Sequence, residues 1–239
     1  MKRVLLALLL PLLLGAGAPS SPRSRAAVQR QTEPLNAALA SVGLTLGSPV
    51  FLRILKEEER LEVFVLGSEG RYVRFREYPI CHFSGSLGPK LAEGDGQAPE
   101  GFYFVPPSRM NPGSTFHLSF DLGYPNAYDR AHGRTGSALM VHGNCVSIGC
   151  YAMTDPVIEE IWTLMDAAFA SGQPFVRVHA LPSRLDDPDD ERLRDPTHGE
   201  FWTALRQGWL AFEADGVPPD VTVRAGEYVV RRRSTEAER

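Results

Sequence analysis

Leu139-Met140-Val141-His142-Gly143-Asn144-Cys145-Val146-Ser147-Ile148-Gly149-Cys150 is the stretch on which the reading of this chain turns. Its first half is an apolar run that reads as a strand ending at His142, where Gly143 breaks the pattern. Ser147-x-Gly149-Cys150 follows, and then Asp155-Pro156, a cap and a first-turn proline ahead of Val157, Ile161, Leu164 and Met165; Gly172 closes that helix. A strand end and a loop before a helix are places where reactive groups are displayed. A helix N-terminus favours a thiolate if Cys150 lies close enough to it, and an imidazole such as that of His142, if brought within hydrogen-bond reach, can take the thiol proton. Gly149 lets backbone N–H groups face a developing oxyanion. These are the parts needed for acyl transfer through a cysteine.

Blander chemistry fits the same residues. Cys145 and Cys150 can pair as a structural disulfide, His142, Cys145 and Cys150 can hold zinc at a spacing that matches no common finger, and Cys150 can be a small buried hydrophobe. With Cys150 kept free as a nucleophile, Cys145 is expected to be a buried, unpaired packing residue beneath the loop.

Working outward, residues 49–76 read as a meander of antiparallel strands. Phe51, Arg53 and Leu55 alternate with Leu52, Ile54 and Lys56, with turns at Glu57-Glu58-Glu59 and Gly67-Ser68-Glu69-Gly70. Segments 115–121, 138–142 and 175–180 read as further strands. Residues 84–101, rich in Gly and Pro, and 183–196, dense in Asp and Arg, read as surface loops. Thr197-x-x-Glu200 predicts a capping box ahead of Phe201, Leu205, Trp209 and Phe212. Upstream, Leu35, Leu39 and Val42 mark a short helix over 33–42, preceded by a Ser-, Arg- and Gln-rich linker over 19–32. The fold class expected is a single α+β domain, mostly β. It divides into a leader (1–18), linker and short helix (19–48), the catalytic core (49–182), and a C-terminal loop, helix and strand packed on that core (183–239).

The leader has Lys2-Arg3, an apolar run from Val4 to Leu14 and Ala16-Gly17-Ala18 as a small-residue cleavage site, so a cleavable secretory signal is expected, with no membrane span left after cleavage. Of 239 residues 43% are hydrophobic and 23% charged, values that exclude a largely disordered chain. Lys+Arg is 25 against Asp+Glu 29, a net charge of −4 that gives no electrostatic basis for nucleic-acid binding.

Together, His142-Gly143 and Ser147-Ile148-Gly149-Cys150 resemble the H-G…S-x-G-C signature of the YkuD-type L,D-transpeptidases, and Pro99-Glu100-Gly101-Phe102-Tyr103 resembles a turn of that family. The YafK-like branch is closer still. It is matched by Phe116-His117-Leu118-Ser119-Phe120, Gly123-Tyr124-Pro125-Asn126, Asp129-Arg130, Gly133-Arg134-Thr135-Gly136 and the segment from His142 through Tyr151-Ala152-Met153. The resemblance implies a YkuD-like domain acting on peptidoglycan stem peptides in the periplasm or cell envelope, without metal or cofactor. It implies that Cys150 attacks the carbonyl on the L-centre of the position-three diamino acid, that His142 is base and then acid, and that N–H groups near Gly149 and Cys150, with Ser147 beside them, hold the oxyanion. Carbapenems are expected inhibitors. Typical members carry an arginine two residues after the cysteine; Ala152 stands there, and Arg134 is the expected replacement. His117, Tyr124 and Asn126 are the other expected groove residues. The short segment between His142 and Cys150 leaves the acceptor side open, so hydrolysis that releases a wall-linked protein or peptide is the alternative to cross-linking; a non-catalytic wall-binding domain is the third reading.

Overall fold

The computed structural model describes residues 17–233, so the leader expected over 1–18 lies almost wholly outside the described residues. In chain order the elements are α1 (Pro22–Ala40), β1 (Val50–Leu55), β2 (Arg60–Leu66), β3 (Tyr72–Pro79), β4 (His82–Phe83), β5 (Gly101–Val105), β6 (Met110–Asn111), β7 (Ser119–Asp121), α2 (Ala127–Ala131), β8 (Met140–His142), β9 (Tyr151–Ala152), α3 (Asp155–Ala170), β10 (Val176–Leu181), α4 (Gly199–Asp215), β11 (Asp220–Arg224) and β12 (Glu227–Arg231). Strands outnumber helices among the described residues, and the class is α+β.

Two five-stranded sheets run in the orders β3-β2-β1-β10-β5 and β4-β9-β8-β7-β6, and β11-β12 is a separate hairpin. The first holds the meander β1-β2-β3, with β1 also pairing parallel to β10. All six residues of β1 are buried, because the strand is paired on both edges and covered on both faces. Leu52 and Ile54 join the core shared with α3 and the second sheet, while Phe51 packs on Phe212 of α4. Arg53, on that α4 face, is ion-paired with Glu62 at 2.5 Å and Glu213 at 2.7 Å, and its guanidinium lies 4.0 Å from the Trp209 ring.

The 19–32 segment is helical rather than a linker: α1 begins at the Ser21 cap, where Ser21 and Ser24 form a reciprocal capping box ahead of Pro22. Its buried stripe is only Ser24, Ala27, Leu35 and Leu39, and this narrow face docks on α3. So few apolar residues among Ser, Arg and Gln hide the helical period. The 84–101 segment is irregular, as expected, and exposed at 85–86 and 91–95, but it is buried at 88–90 and 98–101. Fully buried Lys56 donates through Nζ to the carbonyls of Ser86 (2.7 Å), Gly88 (3.0 Å) and Ala98 (3.0 Å) and lies 3.0 Å from Glu100. Glu100 accepts in turn from Gly88 N–H and from Trp202 Nε1–H of α4. At α4 the expected Thr197 box does not form. His198 is the cap, and Asp195 Oδ1 takes the N–H groups of Thr197 and His198. Gly208 lets α4 lie against β5, since a Cβ there would stand 2.4 Å from the Phe102 ring.

Candidate active site

Strand β8 runs beside β7 antiparallel and beside β9 parallel, with Val141 opposite Tyr151 and His142 opposite Ala152. The segment 143–150 must therefore leave the end of β8 and return to the start of its own parallel neighbour. It does so by crossing over β9. Asn144 and Cys145 take left-handed φ values of 67° and 49°, Cys145 N–H donates to Met153 O, and Cys81 N–H, at the far edge, donates to Ala152 O. Cys145 is joined to Cys81 by a disulfide with a Cα–Cα distance of 5.3 Å. Both expectations for Cys145 are thus corrected. It neither pairs with Cys150 nor lies buried and unpaired; it is exposed and cross-linked across β9, which also removes it from any zinc set.

Cys150 is the free cysteine among the described residues. Its Sγ accepts from Met140 N–H at 3.4 Å and lies 3.6 Å from Ala138 O, against the backbone of β8 and two residues before His142. Two residues along a strand span about 7 Å, so the thiol meets the β8 backbone about that far from the His142 backbone. Burial pushes the Cys150 thiol up, opposed by the Met140 N–H, and Asp121 pushes in the same direction as burial. The helix N-terminus expected to favour a thiolate is not at hand. Tyr151 through Thr154 separate Cys150 from α3, whose first residue Asp155 uses Oδ1 to accept from Asn144 N–H instead of capping its own helix.

His142 is buried with its ring 4.8 Å from Phe116, and burial lowers its pKa. Its Nδ1 lies 2.6 Å from Gly143 O. A carbonyl only accepts, so Nδ1 carries the proton, and in the neutral ring Nε2 keeps its lone pair as a base. Gly143 has no room for a side chain: a Cβ would stand 2.5 Å from Asp155 Oδ1. Its N–H donates to the carbonyls of Phe116 and Leu118.

Ser147, Gly149 and Cys150 form one turn. The Ser147 hydroxyl accepts from Gly149 N–H (3.2 Å) and Cys150 N–H (2.7 Å) and donates to Cys150 O (2.7 Å). The two donors expected to face an oxyanion are therefore held by Ser147 here.

The other expected site residues lie further off. His117 stands behind Gly143, with Nε2 2.8 Å from Glu159 Oε1. Glu159 is also held by Arg30 and Gln31 of α1, and Arg23 of α1 donates to the His117 carbonyl. Tyr124 is buried and donates to Lys90 O. Asn126 caps α2 and donates to Phe102 O and Tyr228 Oη, facing a separate, largely apolar cavity of about 420 Å³. Arg134, the expected replacement for the missing arginine, is turned into the fold. Its side chain is 8% exposed, bound to Asp129 at 2.9 Å and stacked 4.6 Å from the Phe201 ring. A cleft of about 670 Å³ is lined by Arg109, Asp121, Tyr124, Arg130 and Ala138 among others, and the Ala138 carbonyl is 3.6 Å from the thiol. Cys81, Asp155, Glu159 and the α1 arginines escaped sequence reasoning; for Cys81 the one available signal was a third cysteine in a chain expected to be exported.

No protein-family model matches the chain. Two curated relatives named "Putative L,D-transpeptidase YafK", from Escherichia coli strain K12 and Escherichia coli O157:H7, are each 44% identical over 187 residues, 78% of this chain and 76% of theirs. Among solved structures, the helical cell shape determining protein Pgp2 of Campylobacter jejuni is 23% identical at a TM-score of 0.45, covering 62% of this chain and 55% of that one. Bd1075 of Bdellovibrio bacteriovorus is 22% identical at a TM-score of 0.39, covering 57% and 49%. The chain thus spans about half the length of each of these two structures.

Proposed function

The chain belongs to the L,D-transpeptidase family represented by YafK, and on that premise we propose that it is a cysteine acyltransferase acting on peptidoglycan stem peptides outside the cytoplasm. The observation that carries this reading is a free thiol set against the β8 backbone at Met140, two residues before an imidazole whose Nδ1 is bound to Gly143 O and whose Nε2 is left as a base. Cys150 Sγ attacks the carbonyl on the L-centre of the position-three diamino acid while His142 Nε2 removes its proton. The tetrahedral intermediate collapses to a thioester, and the leaving amine takes the proton from His142. An amine or water then attacks the thioester and releases Cys150.

Burial holds the thiol up and the imidazole down, so the resting pair is neutral, and proton transfer accompanies attack. For Gly149 and Cys150 N–H to serve the oxyanion, the Ser147 hydroxyl must turn aside. Export is supported by the leader-like residues 1–18 and by the Cys81–Cys145 bond, which belongs to an oxidising compartment.

A second reading, hydrolysis that releases proteins or peptides linked to the diamino acid, is favoured by the openness of the acceptor side: Ile148 is 93% exposed and Asn144, Cys145 and Val146 stand in solvent. Incubation with purified sacculi separates the two readings. New cross-links between stems mark amine acceptors, and released peptide or protein marks water. A single carbapenem adduct on Cys150 by mass spectrometry tests the nucleophile itself; no adduct and no product from sacculi overturn the proposal and leave a wall-binding domain.

A further inference from the structure

The peptide unit between Gly143 and Asn144 is bonded on both sides. Its carbonyl accepts from His142 Nδ1–H at 2.6 Å, and its N–H donates to Asp155 Oδ1 at 2.8 Å. A carboxylate and the imidazole are therefore joined in one line of hydrogen bonds, with a single peptide group between them. A peptide whose N–H is bound by an anion is polarised, and its oxygen becomes a stronger acceptor.

The local fold commits the carboxylate to this contact. Asp155 is the first residue of α3, and the Thr154 cap makes no side-chain bond to the helix. Pro156, next in the chain, has no N–H to draw the carboxylate back. Gly143 does not take a left-handed φ, so glycine is needed there for space: a Cβ would stand 2.5 Å from Asp155 Oδ1, 3.0 Å from His117 Cβ and 3.1 Å from Ile158 Cγ2. The first turn of α3 thus lies directly on the peptide that His142 uses. On its other side Asp155 faces His117, with Oδ2 3.8 Å from Nδ1, and His117 Nε2 is 2.8 Å from Glu159 Oε1. Arg30 and Gln31 of α1 hold Glu159, and Arg23 donates to the His117 carbonyl at 2.6 Å. Helix α1 therefore fixes the ring that stands beside Asp155.

We propose that Asp155 is a positioning residue for the base. Acting through the Gly143–Asn144 peptide, it holds His142 in the tautomer protonated at Nδ1 and stabilises the imidazolium formed when Cys150 gives up its proton. A carboxylate in direct contact with a histidine does the same in hydrolytic triads; here a peptide group is inserted between them. The consequence for rate rests on the proposed acyl transfer, whereas the effect on the ring does not. Asp155 is 50% exposed, so solvent screens its charge and the effect is smaller than that of a direct contact. Burial lowers the His142 pKa and the Gly143 carbonyl raises it, so a weaker carbonyl lets it fall further.

The test is Asp155→Asn in the full chain. The amide keeps an oxygen that accepts from Asn144 N–H, so the turn is retained while the charge is lost. In the Cys150→Ala background, His142 should titrate by NMR about one pH unit lower in Asp155→Asn than with Asp155 in place. Asp155→Glu, which keeps the charge, should recover part of the difference. With Cys150 present, acylation at saturating carbapenem should slow by about 3–10-fold, a fraction of that change in basicity. The half-saturating concentration should stay within about twofold, and the acid limb of the pH profile should move down with the ring. An unchanged His142 titration overturns the assignment. So does a slower acylation with an unmoved pH profile, which marks a purely structural role. If Asp155→Asn does not fold, judged by its urea midpoint, Asp155→Ser gives the same comparison. If the unvaried protein forms no carbapenem adduct, the acyl-transfer reading fails by itself, and the titration still decides the role of Asp155.

Discussion

Replacing Cys145 by serine removes the cross-link that ties the His142-to-Cys150 segment to the far edge of β9. The bond closes a sequence separation of 64 residues, and the chain-entropy relation for a loop of that length gives about 4 kcal/mol at 25 °C. Cys145 is exposed, so the serine variant loses little packing and the cross-link accounts for nearly all of the loss. A loss of this size in a chain of 150–250 residues lowers Tm by about 8–16 °C. Urea unfolding of the oxidised parent, of Cys145→Ser, of Cys81→Ser and of the double variant is the measurement. The three variants should share one midpoint, since either single change already breaks the bond. The reduced parent should join them. Activity on sacculi should fall along with stability, because residues 143–150 then hold their left-handed turn at Asn144 without the tether. Thiol titration of the denatured, unreduced parent should find one thiol. Three thiols, or a stability change under about 1 kcal/mol, would refute this account of the loop.

Cys150→Ala should abolish acylation by carbapenem and activity on sacculi while shifting the unfolding midpoint by less than about 1 kcal/mol, read by mass spectrometry and denaturation. His142→Gln should slow acylation by roughly 10²–10⁴; acylation at the parental rate would move the base elsewhere. In the parent, burial raises the Cys150 pKa and so reduces the thiolate fraction at neutral pH. The iodoacetamide rate should therefore keep rising with pH past about 8.5, the ordinary thiol value, and a plateau below that pH would indicate a preformed thiolate–imidazolium pair. Glu100→Ala should cost about 3–5 kcal/mol by stranding the buried Lys56 ammonium, read in urea; Lys56→Met together with Glu100→Gln should restore part of the loss.

Strands and helices with strong periodic faces were legible in the sequence. The β1-β2-β3 meander follows from its alternation and turn residues, and α3 from Ile161, Leu164 and Met165 behind Pro156. The turn from Ser147 to Cys150 was legible because small and reactive residues are concentrated in it. Features made by distant partners were not. Cys81 lies 64 residues from its partner, and nothing local marks the pair. Arg134 looked free because Asp129 and Phe201, which occupy it, reach it only in the fold. The first half of α1 was hidden because its few apolar residues dock on α3 and leave little helical period to read, whereas the half from residue 33 onward was legible. The Thr197 box failed where Asp195, two residues earlier, took the Thr197 N–H that the Glu200 side chain would have accepted, together with the His198 N–H.

Glu100 has a bearing on how such a chain is inherited. Its two oxygens are divided between the Lys56 ammonium and Gly88 N–H on one side and the Trp202 indole on the other. The carboxylate thus joins the end of the first strand pair, the 84–101 segment and the C-terminal helix in one buried knot. A recombination event that exchanged residues 183–233 for an unrelated tail would leave a charged oxygen facing an apolar gap, and one that exchanged the 84–101 segment would leave an ammonium there. Exposed side chains such as Ile148 can be exchanged one at a time at little cost, whereas the parts that meet at Glu100 can be exchanged only together.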